Sequence, residues 1–385
     1  MLGEISDYWW RDMLEILVGL DEDPADLFYE MIDRDALVAA LCVQSAPFKP
    51  DSQVYSALID GLAEQMENKS TTRRKEIVDR IVQSGHPRVP EVLLRRLHRE
   101  WASLVLLAIA RGLEQWKQTP GQIQELVKKE AAVLEGLPLE TEPLRDWLQI
   151  KTPICPKPDE CQDDGAFPEE LEQMENILDD VNRPEKMRGL AAISLGLSGY
   201  KRAGDKLLEI IQKPDMNDLV AWCAVEALAE FPRPDVRGCV YDLLMEYRSV
   251  DFKNQPSRYR ARLIYLLGFL SAEVSAKETG STPTSQEVLR QALVDDEPAV
   301  RGFAINAWVR LNYKDAQMEV ENIIKKNDEK PLVLRKAAEA IGLIGTRDSI
   351  RLLESRLALP VVKENQSVRS AYRKAIKEIQ ERLGI

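Results

Sequence analysis

Residues 296–311, DEPAVRGFAINAWVRL, contain the pattern that decides the fold, because two later stretches of the chain repeat it. These stretches are residues 330–345, KPLVLRKAAEAIGLIG, and residues 364–379, ENQSVRSAYRKAIKEI. In each one an apolar residue precedes an arginine, and small or apolar residues follow that arginine at positions +2, +3 and +6. The arginines, spaced 34 residues apart, are Arg301, Arg335 and Arg369. A period of this length is typical of arrays of helical hairpins.

The same pattern extends towards the N-terminus with less regular spacing. Arg188, Ala221 and Arg260 occupy the equivalent position, so the six register positions are 33 to 41 residues apart. One hairpin cannot bury the apolar stripes of both its helices, and neighbouring hairpins must therefore stack. Prolines, which the first turn of a helix tolerates, precede the second helix of four units at Pro184, Pro256, Pro298 and Pro331. The sequence predicts an all-α fold, an α-solenoid.

This combination of residues resembles HEAT repeats over roughly residues 170–385. The shared features are proline at the turn, an acidic or polar residue, Val-Arg, and alanines at positions +3 and +6. The resemblance implies an α-solenoid of HEAT-like helical hairpins wound as a right-handed superhelix. Arg262 departs from the pattern, since position +2 is otherwise small or apolar.

A proline-rich acidic stretch separates two helical blocks. Residues 138–168, PLETEPLRDWLQIKTPICPKPDECQDDGAFP, hold six of the 21 prolines and little helical periodicity. We predict an N-terminal helical, degenerate HEAT-like block over 1–137, this connection over 138–168, and a C-terminal HEAT-like block over 169–385. The helices predicted in the first block are 8–20, 24–43, 52–66, 73–83, 90–98, 101–116 and 122–137, with a turn at 85–88.

Residues 8–43, YWWRDMLEILVGLDEDPADLFYEMIDRDALVAALCV, resemble the helices that follow the ATPase module in bacterial NACHT-type STAND NTPases. The matching elements are Trp9, Trp10, Gly19, Leu20 and the helix containing Ala39–Cys42. The phosphate-binding pattern GxxxxGK[ST] occurs nowhere in the chain. The resemblance therefore implies only the C-terminal sensor arm of such an NTPase, which recognises a trigger.

Charge and composition argue against several classes of function. The net charge of −12 disfavours general affinity for nucleic acid or anionic membranes. The longest apolar run, residues 104–110, is far shorter than the roughly 20 residues of a membrane-spanning helix. Five irregularly spaced cysteines favour reduced thiols in a cytoplasmic protein.

No catalytic or metal-binding constellation emerges from the residues, so we expect neither enzyme activity nor a cofactor. Cys155 and Cys161, with nearby acidic residues, have an unusual spacing for a metal site, and an ordinary acidic loop is favoured. The chain has two histidines, His86 and His98, and the sequence identifies no catalytic partner with which either could act as a general acid or base.

Three groups of residues are candidate binding sites. Positions +1 and +5 of the second helices are predicted to face the concave side: Trp222, Glu226, Tyr265, Asn306, Lys336 and Lys374. The alternative is that the two rings pack between repeats. A basic stretch suited to a polyanion includes Arg73, Arg74, Lys75, Arg95, Arg96 and Arg99, although a solvated helix face is favoured. The third group is the recurring series Arg301, Arg335 and Arg369. These arginines form either an anion-binding ladder or, as we favour, ion pairs with acidic residues near the turns, such as Asp296, Asp328 and Glu364.

The leading hypothesis is a non-enzymatic scaffold for protein–protein interaction, the sensor arm of a NACHT-like STAND NTPase system. Its partner would be another protein or the parent NTPase module. One alternative is a subunit resembling the HEAT-like bilin lyases that act on phycobiliproteins. Another is a nucleic-acid-binding protein resembling the helical-repeat DNA glycosylases, which the net charge disfavours.

Overall fold

The computed structural model describes residues 24–43, 48–49, 52–67, 69–117, 147–148, 150–155, 167–213, 216–246, 254–271, 274, 284–326 and 328–385. Every regular element in these ranges is helical, which confirms the all-α prediction. None of the described helices is long and apolar enough to cross a membrane.

Eighteen helices lie in the described ranges. They are α1 (Ala25–Cys42), α2 (Gln53–Gln65), α3 (Thr71–Gln83), α4 (Val89–Arg99), α5 (Ser103–Lys117), α6 (Glu169–Asp179), α7 (Glu185–Ser198), α8 (Lys201–Gln212), α9 (Asp218–Ala229), α10 (Pro234–Glu246), α11 (Ser257–Leu267), α12 (Thr284–Ala292), α13 (Pro298–Arg310), α14 (Ala316–Lys325), α15 (Pro331–Ile344), α16 (Arg347–Arg356), α17 (Pro360–Glu364) and α18 (Gln366–Leu383). Helices α1–α5 match five of the seven helices predicted before residue 138, and the predicted helices 8–20 and 122–137 lie outside the described residues.

The chain forms two compact units. The first consists of the described residues within 1–156, 163–203 and 217–227, and the second of those within 157–162, 204–216 and 228–385. In the first unit α5 packs on α3, α4 and α7, and α6 packs on α7. The predicted boundaries at 137 and 168 stay a prediction, since most of the stretch between them lies outside the described residues.

The second unit contains successive helical hairpins, as in an α-solenoid. Its hairpins are α10 with α11, α12 with α13, α14 with α15, and α16 with α18. The second helices pack in the order α11, α13, α15, α18. Pro298 and Pro331 occupy the first turns of α13 and α15, and Pro256 is the residue before α11. The proline positions therefore mark the starts of second helices, as predicted.

Small residues allow the second helices to approach closely. A methyl group added at Gly268 would lie 3.1 Å from the Cα of Ala307, and one at Gly342 would lie 3.2 Å from the Cα of Ala375. In the first unit, a methyl group at Gly196 of α7 would lie only 2.5 Å from the Cβ of Ala227 on α9. The alanines are those at position +6 of the repeat. Glycine in one helix and this alanine in the next set the distance between layers.

The described part of the predicted connection is anchored to the first unit. The indole Nε1 of Trp147 donates to Ser194 Oγ at 2.9 Å, and the Thr152 hydroxyl donates to Glu114 Oε1 at 2.8 Å. Cys155 is disulfide-bonded, whereas Cys42, Cys223 and Cys239 form no disulfide bond. The expectation that all five thiols are reduced is therefore wrong at Cys155.

Replacing Gly196 by Ala should destabilise the fold. Alanine is ordinarily preferred to glycine inside a helix by about 1 kcal/mol. At this position the new methyl group would meet Ala227 at less than 3 Å, and overpacking of this kind costs about 1–3 kcal/mol. Gly302→Ala is the matched control, because its methyl group would lie 3.4 Å from the Lys336 stem. Urea unfolding should show a loss of stability for Gly196→Ala and a neutral or stabilising effect for Gly302→Ala. The reverse order would contradict the proposed contact.

Candidate interaction surface

A cluster of aromatic rings lies on the second helices of two consecutive hairpins in the second unit. The Tyr265 ring centroid is 5.1 Å from that of Phe269 and 5.3 Å from that of Phe303. All three side chains are half-buried. Pairs at these distances add stability beyond their buried area. We call Tyr265, Phe269, Phe303, Asn306 and Arg310 the aromatic face.

Helix geometry brings these residues together. Residues 303, 306 and 310 of α13 follow the i, i+3, i+7 spacing and therefore lie along one side of that helix. Residues 265 and 269 are four apart, which places them on adjacent turns. The close approach of Gly268 to Ala307 holds α11 and α13 near enough for Tyr265 to contact Phe303.

Arg310 completes the aromatic face with a positive charge. Its guanidinium carbon lies 4.0 Å from the centroid of the Phe269 ring, within the range of a cation–π contact. The side chain is exposed, and no carboxylate lies within ion-pair distance among the described residues. Arg290, on the preceding helix α12, instead pairs with Asp315 at 2.9 Å. Within the described part of the chain, Arg310 thus has no carboxylate that occupies its donors.

Two predicted lysines lie on later second helices. The stem of Lys336 on α15 passes over Gly302, next to Phe303, and its ammonium group pairs with Glu339 at 3.0 Å. Lys374 on α18 is exposed and pairs with Glu378 at 3.4 Å. The structure therefore places the stem of Lys336 against Gly302 of α13, with its ammonium group paired to a carboxylate that Arg335 also approaches.

Trp222 and Glu226 belong to the first unit, so the structure does not group them with the other predicted residues. Trp222 is half-buried, and the Glu226 side chain is buried with 6% of its surface exposed. Burial raises the pKa of the neighbouring Cys223 thiol, and the charge of Glu226 raises it further. Partner binding by these two residues stays a prediction.

The basic stretch is largely paired with carboxylates. Its pairs include Arg73 with Glu76, Lys75 with Asp79, Arg95 with Glu91, and both Arg74 and Arg96 with Glu100. Arg99 is exposed. Because most of these charges are compensated inside the first unit, the observed pairs support the solvated helix face that the sequence favoured over a polyanion site.

Glu100 is the centre of this network. Its carboxylate accepts two hydrogen bonds from Arg74, at 3.0 and 3.1 Å, and others from Arg96 and from the backbone N–H groups of Trp101 and Ala102. Burial alone would raise the pKa of Glu100, but the bonds from Ala102, Arg74 and Arg96 outweigh it and lower that pKa. Glu100 thus joins α3, α4 and the start of α5.

The register arginines form inter-repeat contacts. Arg260 binds Asp295 through two bonds of 2.9 and 2.7 Å, and Arg301 binds Glu329 at 2.6 Å. Each acid lies in the turn before the second helix of the next hairpin. Ion pairing, which we favoured for Arg301, Arg335 and Arg369, is confirmed for Arg301, whose acid is Glu329; Asp296 offers Arg301 only its backbone carbonyl oxygen. The pair of Arg260 with Asp295 was not predicted.

The later register arginines have weaker contacts. Arg335 lies 3.9 Å from Glu339 on its own helix, and Arg369 donates to the carbonyl oxygen of Lys363 at 3.4 Å. The predicted pairing with Glu364 does not occur, because the backbone of Lys363 lies closer to the Arg369 guanidinium. The ladder of buried pairs therefore spans the hairpins of Arg260 and Arg301.

A groove of about 610 Å³ lies beside α6 in the first unit. Its lining carries both signs of charge, with Lys151 and Arg183 opposite in sign to Glu170 and Asp180. This lining does not single out one ligand chemistry. Among the described residues no group of three or more His, Cys, Asp or Glu side chains could hold a metal ion. Cys161 lies outside those residues.

The sequence found part of the aromatic face. Tyr265 and Asn306, which were predicted to face the concave side, belong to it, whereas Phe269, Phe303 and Arg310 were missed. Tyr265 contacts Phe303 of the next hairpin, as the alternative of packing between repeats expects, and partner binding by Tyr265 and Asn306 stays a prediction. Phe269 and Arg310 each lie nine residues after a register arginine, at equivalent places in successive repeats. A comparison of that position across the repeats, or of residues four after Tyr265, would have identified them.

Comparison with known proteins supports the repeat assignment. Residues 286–377, from α12 into α18, match the family model described as HEAT repeats. No curated protein matches the chain. One similar solved structure is human deoxyhypusine hydroxylase in complex with glycerol, at 13% identity and a TM-score of 0.35; the match covers 84% of this chain and 96% of that chain. A second is an engineered protein, at 14% identity and a TM-score of 0.29; the match covers 55% of this chain and 96% of that chain. Both TM-scores are below 0.5, so neither structure bears on activity. None of these similarities connects the chain to NACHT-type NTPases.

Glu329→Gln should destabilise the second unit by about 2–4 kcal/mol, because it leaves the buried Arg301 guanidinium without its counter-charge. The matched control is Asp348→Asn, which breaks the exposed Arg351–Asp348 pair and should hardly change stability. Urea unfolding of both variants provides the measurement. Equal effects of the two substitutions would show that the buried pair contributes no more than a surface pair.

Glu100→Gln should cost about 2–3 kcal/mol at neutral pH, since Arg74 and Arg96 lose their shared carboxylate. The pKa of Glu100 is lower in the folded protein than the value of 4.5 in the unfolded chain, so its ionised form stabilises the fold at pH values above 4.5. This stabilisation is lost as the pH falls through the folded-state pKa. The difference between wild type and variant should therefore shrink below about pH 4.5. Unfolding free energies measured from pH 7 to pH 3 test this, and a difference that stays constant would contradict it.

Proposed function

We propose that the chain is a non-enzymatic scaffold that binds a protein partner through the aromatic face. The supporting observation is the cluster of Tyr265, Phe269 and Phe303 on consecutive hairpins, half-buried and bordered by an exposed guanidinium. Aromatic residues and arginine are enriched where proteins bind one another. Ring side chains lose little conformational entropy on binding, and the rigid hairpins fix them in advance.

The finer assignment is that this scaffold is the sensor arm of a NACHT-like STAND NTPase system, with the parent NTPase module or a trigger protein as its partner. It rests on the resemblance of residues 8–43 alone. Solenoids of helical hairpins suit such a role because they present an extended surface made of many repeats.

The test uses the full chain and a random peptide library. Twelve-residue peptides displayed on phage are selected on the immobilised protein, and the best of them is synthesised with a fluorescent label. Phe303→Ala should weaken its binding at least tenfold in fluorescence anisotropy, as expected for a hot-spot residue. Tyr29→Ala, which removes a partly exposed ring from α1 in the first unit, is the matched control and should leave binding unchanged.

Thermal unfolding of both variants checks that they are folded at the assay temperature. Failure to select any peptide, or equal binding to wild type and Phe303→Ala, would contradict the proposed function.

A further inference from the structure

Arg310 gives the aromatic face a preference among partners. Its guanidinium stacks on Phe269 at 4.0 Å, and the described residues provide it with no carboxylate. Lys336, whose stem lies against Gly302, pairs with Glu339 at 3.0 Å, a carboxylate that Arg335 also approaches at 3.9 Å, and Arg237 donates to the backbone carbonyl oxygen of Phe269. Asn306 is neutral. Arg310 is therefore the cation that lies on the face of these rings.

Several other arginines of the second unit use their donors inside the fold. Arg260 and Arg301 bind buried carboxylates, and Arg237, Arg356 and Arg382 donate to backbone carbonyl oxygens of neighbouring hairpins. Arg310 differs because its described contact is with the face of a ring. A cation–π contact leaves the N–H groups of a guanidinium available to an acceptor.

An anion at this position would be bound in favourable surroundings. The ring of Phe269 covers one face of the guanidinium, and a lower local dielectric on that side strengthens a charge-assisted hydrogen bond. The planar fork of arginine matches the two oxygens of a carboxylate. An apolar side chain next to that carboxylate would pack on the rings.

We infer that the aromatic face binds a peptide segment with Asp or Glu beside a bulky apolar residue, the carboxylate accepting hydrogen bonds from Arg310 and the apolar side chain covering Phe269 and Phe303. This inference rests on the proposed function. A single-stranded nucleic acid also combines negative charge with stacking, but the net charge of −12 opposes it.

The experiment compares peptide selection on the wild type with selection on Arg310→Gln. Arg351→Gln is the matched control, since Arg351 is an exposed arginine on α16 and its loss changes the net charge equally. Peptides from the wild type and the control should be enriched in Asp or Glu beside Trp, Phe, Leu or Ile. Peptides from Arg310→Gln should keep the apolar residues and lose the acidic ones.

The best wild-type peptide is then resynthesised with amides in place of its carboxylates. Its affinity should fall at least tenfold on the wild type and on Arg351→Gln, but less than twofold on Arg310→Gln. Selected peptides without acidic residues, or the same loss on all three proteins, would overturn the inference and leave the proposed function standing. Failure to select any peptide would instead overturn the proposed function, and the inference with it. Tighter binding of a 12-residue RNA oligonucleotide than of any selected peptide, abolished by Arg310→Gln, would overturn the peptide assignment.

Discussion

The close contact between successive second helices is the constraint on which the other features depend. At Gly196, Gly268 and Gly342 a glycine faces the alanine at position +6 of the next second helix, at distances that leave no room for a further methyl group. Because this spacing fixes how far apart the layers lie, it also decides which side chains can meet across them. Tyr265 reaches Phe303 at 5.3 Å, and Arg301 reaches Glu329 at 2.6 Å, through the same regular approach of one hairpin to its neighbour.

Sequence reasoning recovered the parts of the fold that depend on period and local conformation. Proline at the start of second helices and the recurring arginine both reflect requirements of a single hairpin. They can therefore be recognised in the sequence without the structure. Partner choice within the ladder was not predicted, because Asp295 and Asp296 differ only in the direction that the turn gives to each side chain. The backbone of a turn is not encoded in the helical period, and a shift of one residue changes the partner.

The aromatic face was only partly predictable for a related reason. Residues Tyr265 and Asn306 at position +5 lie on partly exposed sides of their helices, but the same position in another unit is the buried Glu226, so the concave-face prediction stays a prediction. Unequal spacing between repeats changes which side of a helix is covered by its neighbour. Phe269 lies beyond the last residue of α11, where a rule based on helical positions no longer applies. Its ring contacts identify it directly, whereas its position was informative only by comparison with Arg310 in the next repeat.

The ion pairs of Arg260 and Arg301 each run from one hairpin to the hairpin that follows it in the chain. Arg260 and Arg301 each take a carboxylate from the turn of the following hairpin, so these hairpins are completed by their successors. During evolution by duplication, a copied hairpin inserted between them would need both a suitable arginine and a turn acid matched to its predecessor. In this part of the array, a change of the arginine in one hairpin would therefore require a matching change of the turn acid in the next hairpin. The hairpin of Arg369, which is held by a carbonyl of its own Lys363, is free of this requirement and can be exchanged or extended with less adjustment.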